Sequence, residues 1–164
     1  MYTSAYDHER LVFVALQSKG IATTADFDAN VLDVERFCEE ALRRPNEVAS
    51  VIAIAQSDNP PTAVHRKRLA AVENRIPKLN LALVGTGMAV RFFMTVNYWL
   101  APNRPGLQRA VYANYDLARE WHVERGVHSA IVFDMLHYTA QRRLRDTGRS
   151  LSARPRPAIG RYPM

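Results

Sequence analysis

Cysteine is nearly missing from this chain: among 164 residues only Cys38 carries a thiol. One thiol can form neither an intramolecular disulfide nor a thiolate zinc cage, which excludes a stapled secreted scaffold and a zinc ribbon. Glycine and proline are sparse as well, at seven and nine residues, and apolar residues make up 48% against 23% charged. That composition excludes a collagen-like repeat and the weakly apolar, highly charged type of chain that stays disordered. No apolar run reaches the roughly 20 residues that span a bilayer, residues 88–101 coming nearest. The opening MYTSAYDHER carries charge where a signal peptide needs an apolar stretch. The expectation is a soluble cytoplasmic protein without a transmembrane segment, long enough for one domain with a real core.

What is present in excess is positive charge, and it is local. Lys and Arg number 22 against 16 Asp and Glu, a formal net charge of +6. Residues 1–141 are balanced, and the seven Arg of 142–164, opposed only by Asp146, supply the whole excess. Such a tail can meet phosphates through salt-screened contacts. It lacks Lys clusters and an amphipathic helix past Asp146, so nucleic acid is not the expected partner.

Two periodicities alternate along the chain. The run LVFVAL at 11–16 reads as a strand, and TSAY upstream can pair with it as a hairpin through Asp7 to Arg10. Phe27, Val31, Val34, Phe37, Cys38, Ala41 and Leu42 recur at the spacing of one helix face, with Thr24 as the expected N-cap and Pro45 beyond the end. VASVIAIAQ at 48–56 is apolar throughout, as a parallel strand buried on both faces requires. A second helix is expected from Asp58 or Asn59 as cap, through Pro60-Pro61 at its first positions, to about Ile76. A third strand at 79–85, a helix over 88–100, a fourth strand at 107–115 and a helix capped by Asp116 and closed by Gly126 follow. Ser129 to about Asp146 reads as a further helix, with Val132, Met135, Leu136, Thr139 and Arg143 at helical spacing. From Thr147 the segment has three Pro and few core candidates, and cannot offset its ordering entropy alone. Strand alternating with helix predicts an α/β sandwich with a mostly parallel sheet of four to five strands and an antiparallel N-terminal edge. The expected units are a domain over 1–126, a C-terminal helix over 127–146 and an Arg- and Pro-containing tail over 147–164.

The stretch RIPKLNLALVGTGMAVRFFMTVNYWLAPNRPGLQRAVYANYDLAREW resembles the C-terminal half of STAS-like domains related to anti-sigma-factor antagonists, the SpoIIAA-like family. The matching features are the strand Leu81 to Gly85 ending in a glycine turn, the apolar helix Met88 to Leu100, the turn Pro102 to Gly106, and Asp116, Ala118 and Trp121 of a D-x-A-x-x-W-type helix. With the N-terminal strand pair and first helix the resemblance covers about residues 4–126. It implies a small α/β regulatory or binding module, in a broader group that includes lipid carriers, with no catalytic residue set. In the phosphorylated antagonists a Ser opens the helix after the second parallel strand in a D-S-x-G-like turn; here that turn reads Gln56, Ser57, Asp58, Asn59, Pro60, Pro61, Thr62, and the motif is absent.

Several residues invite a chemical reading. Ser57 and Thr62 are candidate phosphorylation sites, because phosphate is favoured at a helix N-terminus, although capping explains them equally. Gly85-Thr86-Gly87 has the look of a dinucleotide turn, but Val90 stands at the third glycine position and no acid follows at the required distance, so no cofactor is expected. None of the five His forms a helical zinc pair, and no metal is expected. His65 shares a helix face with Leu69, Val72 and Ile76, which makes it a half-buried core-edge residue rather than a base. Arg66, Lys67, Arg75 and Lys78 form a basic concentration, either a solvated face or a surface for an anion or an acidic partner. The helix over 88–100 is apolar nearly all round, and Phe92, Phe93, Val96, Tyr98, Trp99 and Leu100 form a candidate interaction or ligand face. That face is expected to be buried beneath the C-terminal helix, to join two copies, or to wall an apolar cavity. The chain therefore reads as a non-enzymatic, STAS-like regulatory or protein-interaction module, a homodimer formed through helix 88–100 or the C-terminal extension. The alternative is a carrier or sensor of a small apolar, lipid-like ligand held between that helix and the sheet.

Overall fold

The strands form where the apolar runs predict them. In the computed structural model, which describes residues 1–85, 87 and 104–152 (149–152 as backbone only), β1 (Tyr2–Asp7) and β2 (Val12–Gly20) make an antiparallel hairpin with Tyr2 opposite Gln17. The carboxylate of Asp7 accepts from the Arg10 backbone N–H at 3.0 Å and holds the turn. β2 then pairs in parallel with β3 (Ala49–Ser57), β3 with β4 (Leu79–Gly85) and β4 with β5 (Leu107–Tyr112). The sheet order is β1-β2-β3-β4-β5. This is the expected mostly parallel α/β sheet with an antiparallel N-terminal edge.

Alternation of side chains divides the sheet into two apolar faces. Phe13, Val51 and Leu81 stand in register on one face, and Val14, Ile52 and Ala82 on the other. α1 (Thr24–Arg43) and α2 (Ala63–Glu73) cover the first, adding Phe37, Cys38, Ala41 and Val72 to its core. α3 (Tyr115–Glu124) and α4 (Ala130–Ser152) cover the second, adding Ala118, Phe133 and Ala140. Both faces being covered accounts for strands that are apolar without alternation. Gly106 makes the turn into β5 at φ 81°, where a Cβ would overlap the carbonyl oxygen of Pro77, so no other residue fits.

Helix boundaries depart from the expectation in instructive ways. α1 is capped by Thr23 rather than Thr24, because Asp26 completes a capping box with Thr23: the Thr23 hydroxyl accepts from the Asp26 N–H, and the Asp26 carboxylate accepts from the Thr23 N–H at 2.9 Å. α2 begins only after both prolines, with Thr62 as its cap, since a residue that precedes proline is pushed out of the helical region and Pro60 precedes Pro61. Asn59 instead clamps the start of α1, its amide bonding the N–H and C=O of Ala22 at 2.7 and 3.0 Å. α3 is capped by Asn114, with Asp116 in its first turn, and β5 stops at Tyr112. α4 runs on to Ser152, past the expected end at Asp146. The helix expected over 88–100, with its face of Phe92, Phe93, Val96, Tyr98, Trp99 and Leu100, lies outside the described residues, as do Thr86 and 153–164.

Candidate functional site

The carboxyl ends of β2, β3 and β4 open into a cleft of about 650 Å³ on the face covered by α3 and α4. Its floor is one in-register row, Leu16, Ile54 and Val84, joined by Leu144 of α4. This is where open parallel sheets place ligands, since the strand ends and helix N-termini converge there. One wall is a polar cluster that ties α3 to α4. Arg119 Nη1 reaches both carboxylate oxygens of Asp134 at 3.0 and 3.2 Å, and the Tyr115 hydroxyl donates to the same carboxylate at 3.0 Å. Burial, reinforced by that bond and by the charge of Asp134, pushes the Tyr115 phenol far above its ordinary range, so it is no ready proton donor. The His137 ring stacks on Tyr115 at 3.9 Å between centroids. Its Nε2 accepts from the Gln141 amide at 3.2 Å, which places the ring proton on Nδ1, and burial lowers its pKa.

On its outer side α4 carries a second feature. Ile131, Met135 and Tyr138 follow one another at four- and three-residue steps, the neighbour spacing of one helix face, and are 69%, 66% and 61% exposed. Of the residues at helical spacing, Val132 and Leu136 pack against the sheet beside Leu144 and the fully buried Phe133 and Ala140, while Met135 faces solvent. Arg143, of the same spacing set, is exposed and donates to the Ser4 carbonyl at 2.6 Å. A short apolar row is therefore turned to solvent on α4.

The other singled-out residues separate. Ser57 is buried and its hydroxyl donates to the Asn59 carbonyl at 3.1 Å, so it neither caps α2 nor faces solvent. Thr62 is exposed and is the cap. His65 is more deeply buried than a core-edge residue, 5% exposed, and has partners on both ring nitrogens: Asp28 Oδ1 at 3.0 Å from Nε2 and Thr62 Oγ1 at 2.6 Å from Nδ1. Asp28 was missed because it lies 37 residues upstream, with no local signal to join them. The hydroxyl, imidazole and carboxylate stand in the order of an acyl-transfer triad, yet the Thr62 oxygen is already engaged as the helix cap, and the three link α2 to the first turns of α1. The four basic residues do not gather into one pocket. They spread from the first turn of α2 to the turn before β4, the Arg66 guanidinium donating to Pro61 O at 2.7 Å and Lys78 Nζ to Asn46 O at 2.9 Å, while Lys67 and Arg75 are exposed.

Among the described residues no group of three His, Cys, Asp or Glu is placed to hold a metal, and no described helix is long and apolar enough to cross a membrane. Cys38 is buried beneath α2, its Sγ 3.7 Å from Val72 O, and burial pushes its thiol pKa up, the reverse of what a reactive cysteine needs. No protein-family model matches the chain, and neither curated proteins nor solved structures yield a match.

Proposed function

We propose that this chain is a non-catalytic, STAS-like regulatory module of the cytoplasm that acts by self-association, two copies meeting through the outer face of α4. The observation that carries the reading is the exposed row Ile131, Met135 and Tyr138. Isolated apolar residues at a surface need no explanation, but an aligned row of three large ones on a helix otherwise rich in charge is the kind of patch that marks an interaction site. A twofold pairing brings the same patch against itself, so one row serves both partners. A stable interface needs about 800 Å² per partner; the row forms its apolar centre, and Arg142 and Asp146, which pair at 3.9 Å on the same helix, lie toward its rim. Sedimentation velocity tests the reading. The unaltered chain is expected to sediment as a dimer, and Ile131→Asp and Met135→Asp as folded monomers, because a charge placed at the centre of an interface is buried without a partner. Variants that sediment like the unaltered chain would remove α4 as the contact. A second reading, binding of a small apolar ligand, is favoured by the cleft floored by Leu16, Ile54 and Val84, whose volume suits a small molecule.

A further inference from the structure

We propose that Thr62 is an activated hydroxyl that takes one acyl group from an activated ester, with His65 as its base and Asp28 as the residue that positions that base. The proposal goes beyond self-association and does not depend on it. The direction of the hydrogen bonds carries it. A carboxylate only accepts, so the 3.0 Å contact between Asp28 Oδ1 and His65 Nε2 places the ring proton on Nε2. His65 Nδ1 is then a bare lone pair, and in its 2.6 Å contact with Thr62 Oγ1 the hydroxyl is the donor. The proton that must leave before Thr62 can attack already points at a base, and a third group orients that base. The helix cap does not use this proton. As cap, Thr62 Oγ1 only accepts from the His65 backbone N–H, and at 3.5 Å that is the longer of the two contacts.

Exposure divides the groups as this chemistry requires. The imidazole is withdrawn from water, its side chain 7% exposed with the Phe27 ring 5.5 Å away, whereas Thr62 lies at the surface within reach of a reagent. Thr23 and Thr147 are exposed as well, but their hydroxyls bond the Asp26 carboxylate and the Arg143 carbonyl, so among the described residues Thr62 is the one exposed hydroxyl that meets an imidazole. Thr62 also opens α2, and Ala63 and Val64, next in the chain, are exposed. The first N–H groups of a helix lack intrahelical partners, so charge developing on the ester oxygen forms beside donors and the positive helix end. In the step, Thr62 Oγ1 forms a bond to the ester carbonyl carbon while its proton passes to His65 Nδ1. The bond from that carbon to the leaving phenol oxygen then breaks, the phenolate departs with the bonding pair, and the imidazolium gives up its proton to it through solvent. The products are acylated Thr62 and one phenol, with nothing oxidised or reduced. A single event per chain modifies the module without making it a catalyst.

Treatment of the full chain with p-nitrophenyl acetate, followed by intact-mass spectrometry and peptide mapping, tests this. Thr62 is expected to gain an acetyl group well ahead of Thr23 and Thr147, the two exposed hydroxyls without an imidazole. His65→Gln is expected to slow acetylation of Thr62 at least about a hundredfold, the lower end of what a positioned base supplies. Asp28→Asn, at a half-exposed position, keeps the judgement open to refutation should His65→Gln unfold. It is expected to slow the same acetylation and to release the ring proton from Nε2, which the nitrogen NMR spectrum of the imidazole reads directly. Thr62→Ser keeps both cap and hydroxyl and is expected to be acetylated, whereas Thr62→Asn keeps a cap without a hydroxyl and is expected to stay folded and to lose the fast release of nitrophenolate. Acetylation of Thr62 no faster than of Thr23 and Thr147, or at an unchanged rate in His65→Gln or Asp28→Asn, would overturn the proposal.

Discussion

Phe133 and Met135 stand two residues apart on α4 and answer substitution in opposite ways. Phe133 is fully buried, with its ring between those of His122 and His128 at 4.9 and 6.1 Å. Phe133→Ala is expected to cost about 3–5 kcal/mol through lost burial and the cavity left behind. Met135→Ala removes atoms that already face water and is expected to change monomer stability by less than about 0.5 kcal/mol. Urea unfolding of the two substitutions, each made in the Ile131→Asp background that is expected to be monomeric, checks the contrast, and equal costs would place Met135 in the core. His122 sets a pH limit. It is 1% exposed; its Nε2–H donates to the Val51 carbonyl at 3.1 Å, and its Nδ1 is buried without a partner among the described residues. Burial lowers its pKa from 6.5 to about 4. An unfolded chain takes up a proton near pH 6.5 that the folded chain refuses until about 4, so the stability this group contributes is complete above 6.5 and is lost as pH falls through that window. The loss amounts to about 3 kcal/mol at pH 4. Unfolding measured at pH 7 and pH 4 is expected to show that much less acid sensitivity in His122→Phe than in the unaltered chain.

At the scale of the element, the caps govern where helices begin, and they are also where the sequence was hardest to read. Thr23→Ala removes one half of the capping box and is expected to cost about 1 kcal/mol in thermal or urea unfolding; Thr24→Ala, at the position that the pattern first suggests, is expected to cost much less. Two adjacent threonines offer the same hydroxyl, and only the three-residue step from Thr23 to Asp26 distinguishes them. That signal was present in the sequence. The start of α2 was legible too, in the restriction each proline places on its predecessor. The inward face of α4 was not. Val132, Met135 and Leu136 share helical spacing, yet Val132 and Leu136 pack with Phe133 and Ala140 while Met135 faces solvent, and where the buried stripe ends depends on how α4 lies across β1 and β2, elements more than a hundred residues upstream. By contrast, the strands were plain from their apolar runs, because burial on both faces leaves little room for polar residues at any position.

For the whole molecule, the layered architecture followed from the alternation of strand and helix, whereas the cleft did not. Its floor comes from three strands and its walls from two helices, so Leu16, Ile54, Val84, Tyr115 and Asp134 meet only after the sheet has formed. No motif joins them in the chain, and the sequence directed attention instead to residues 88–100 as the ligand or interaction face. The same architecture leaves the outer row of α4 turned away from both cores, and self-association through that row is what the proposed function requires of the intact protein. The direct measurement is the molar mass in solution of the unaltered 164-residue chain, by light scattering on a size-exclusion column at tens of micromolar. A mass of twice the 18.6 kDa chain is the expected result; a single chain mass that persists across that concentration range would contradict self-association altogether.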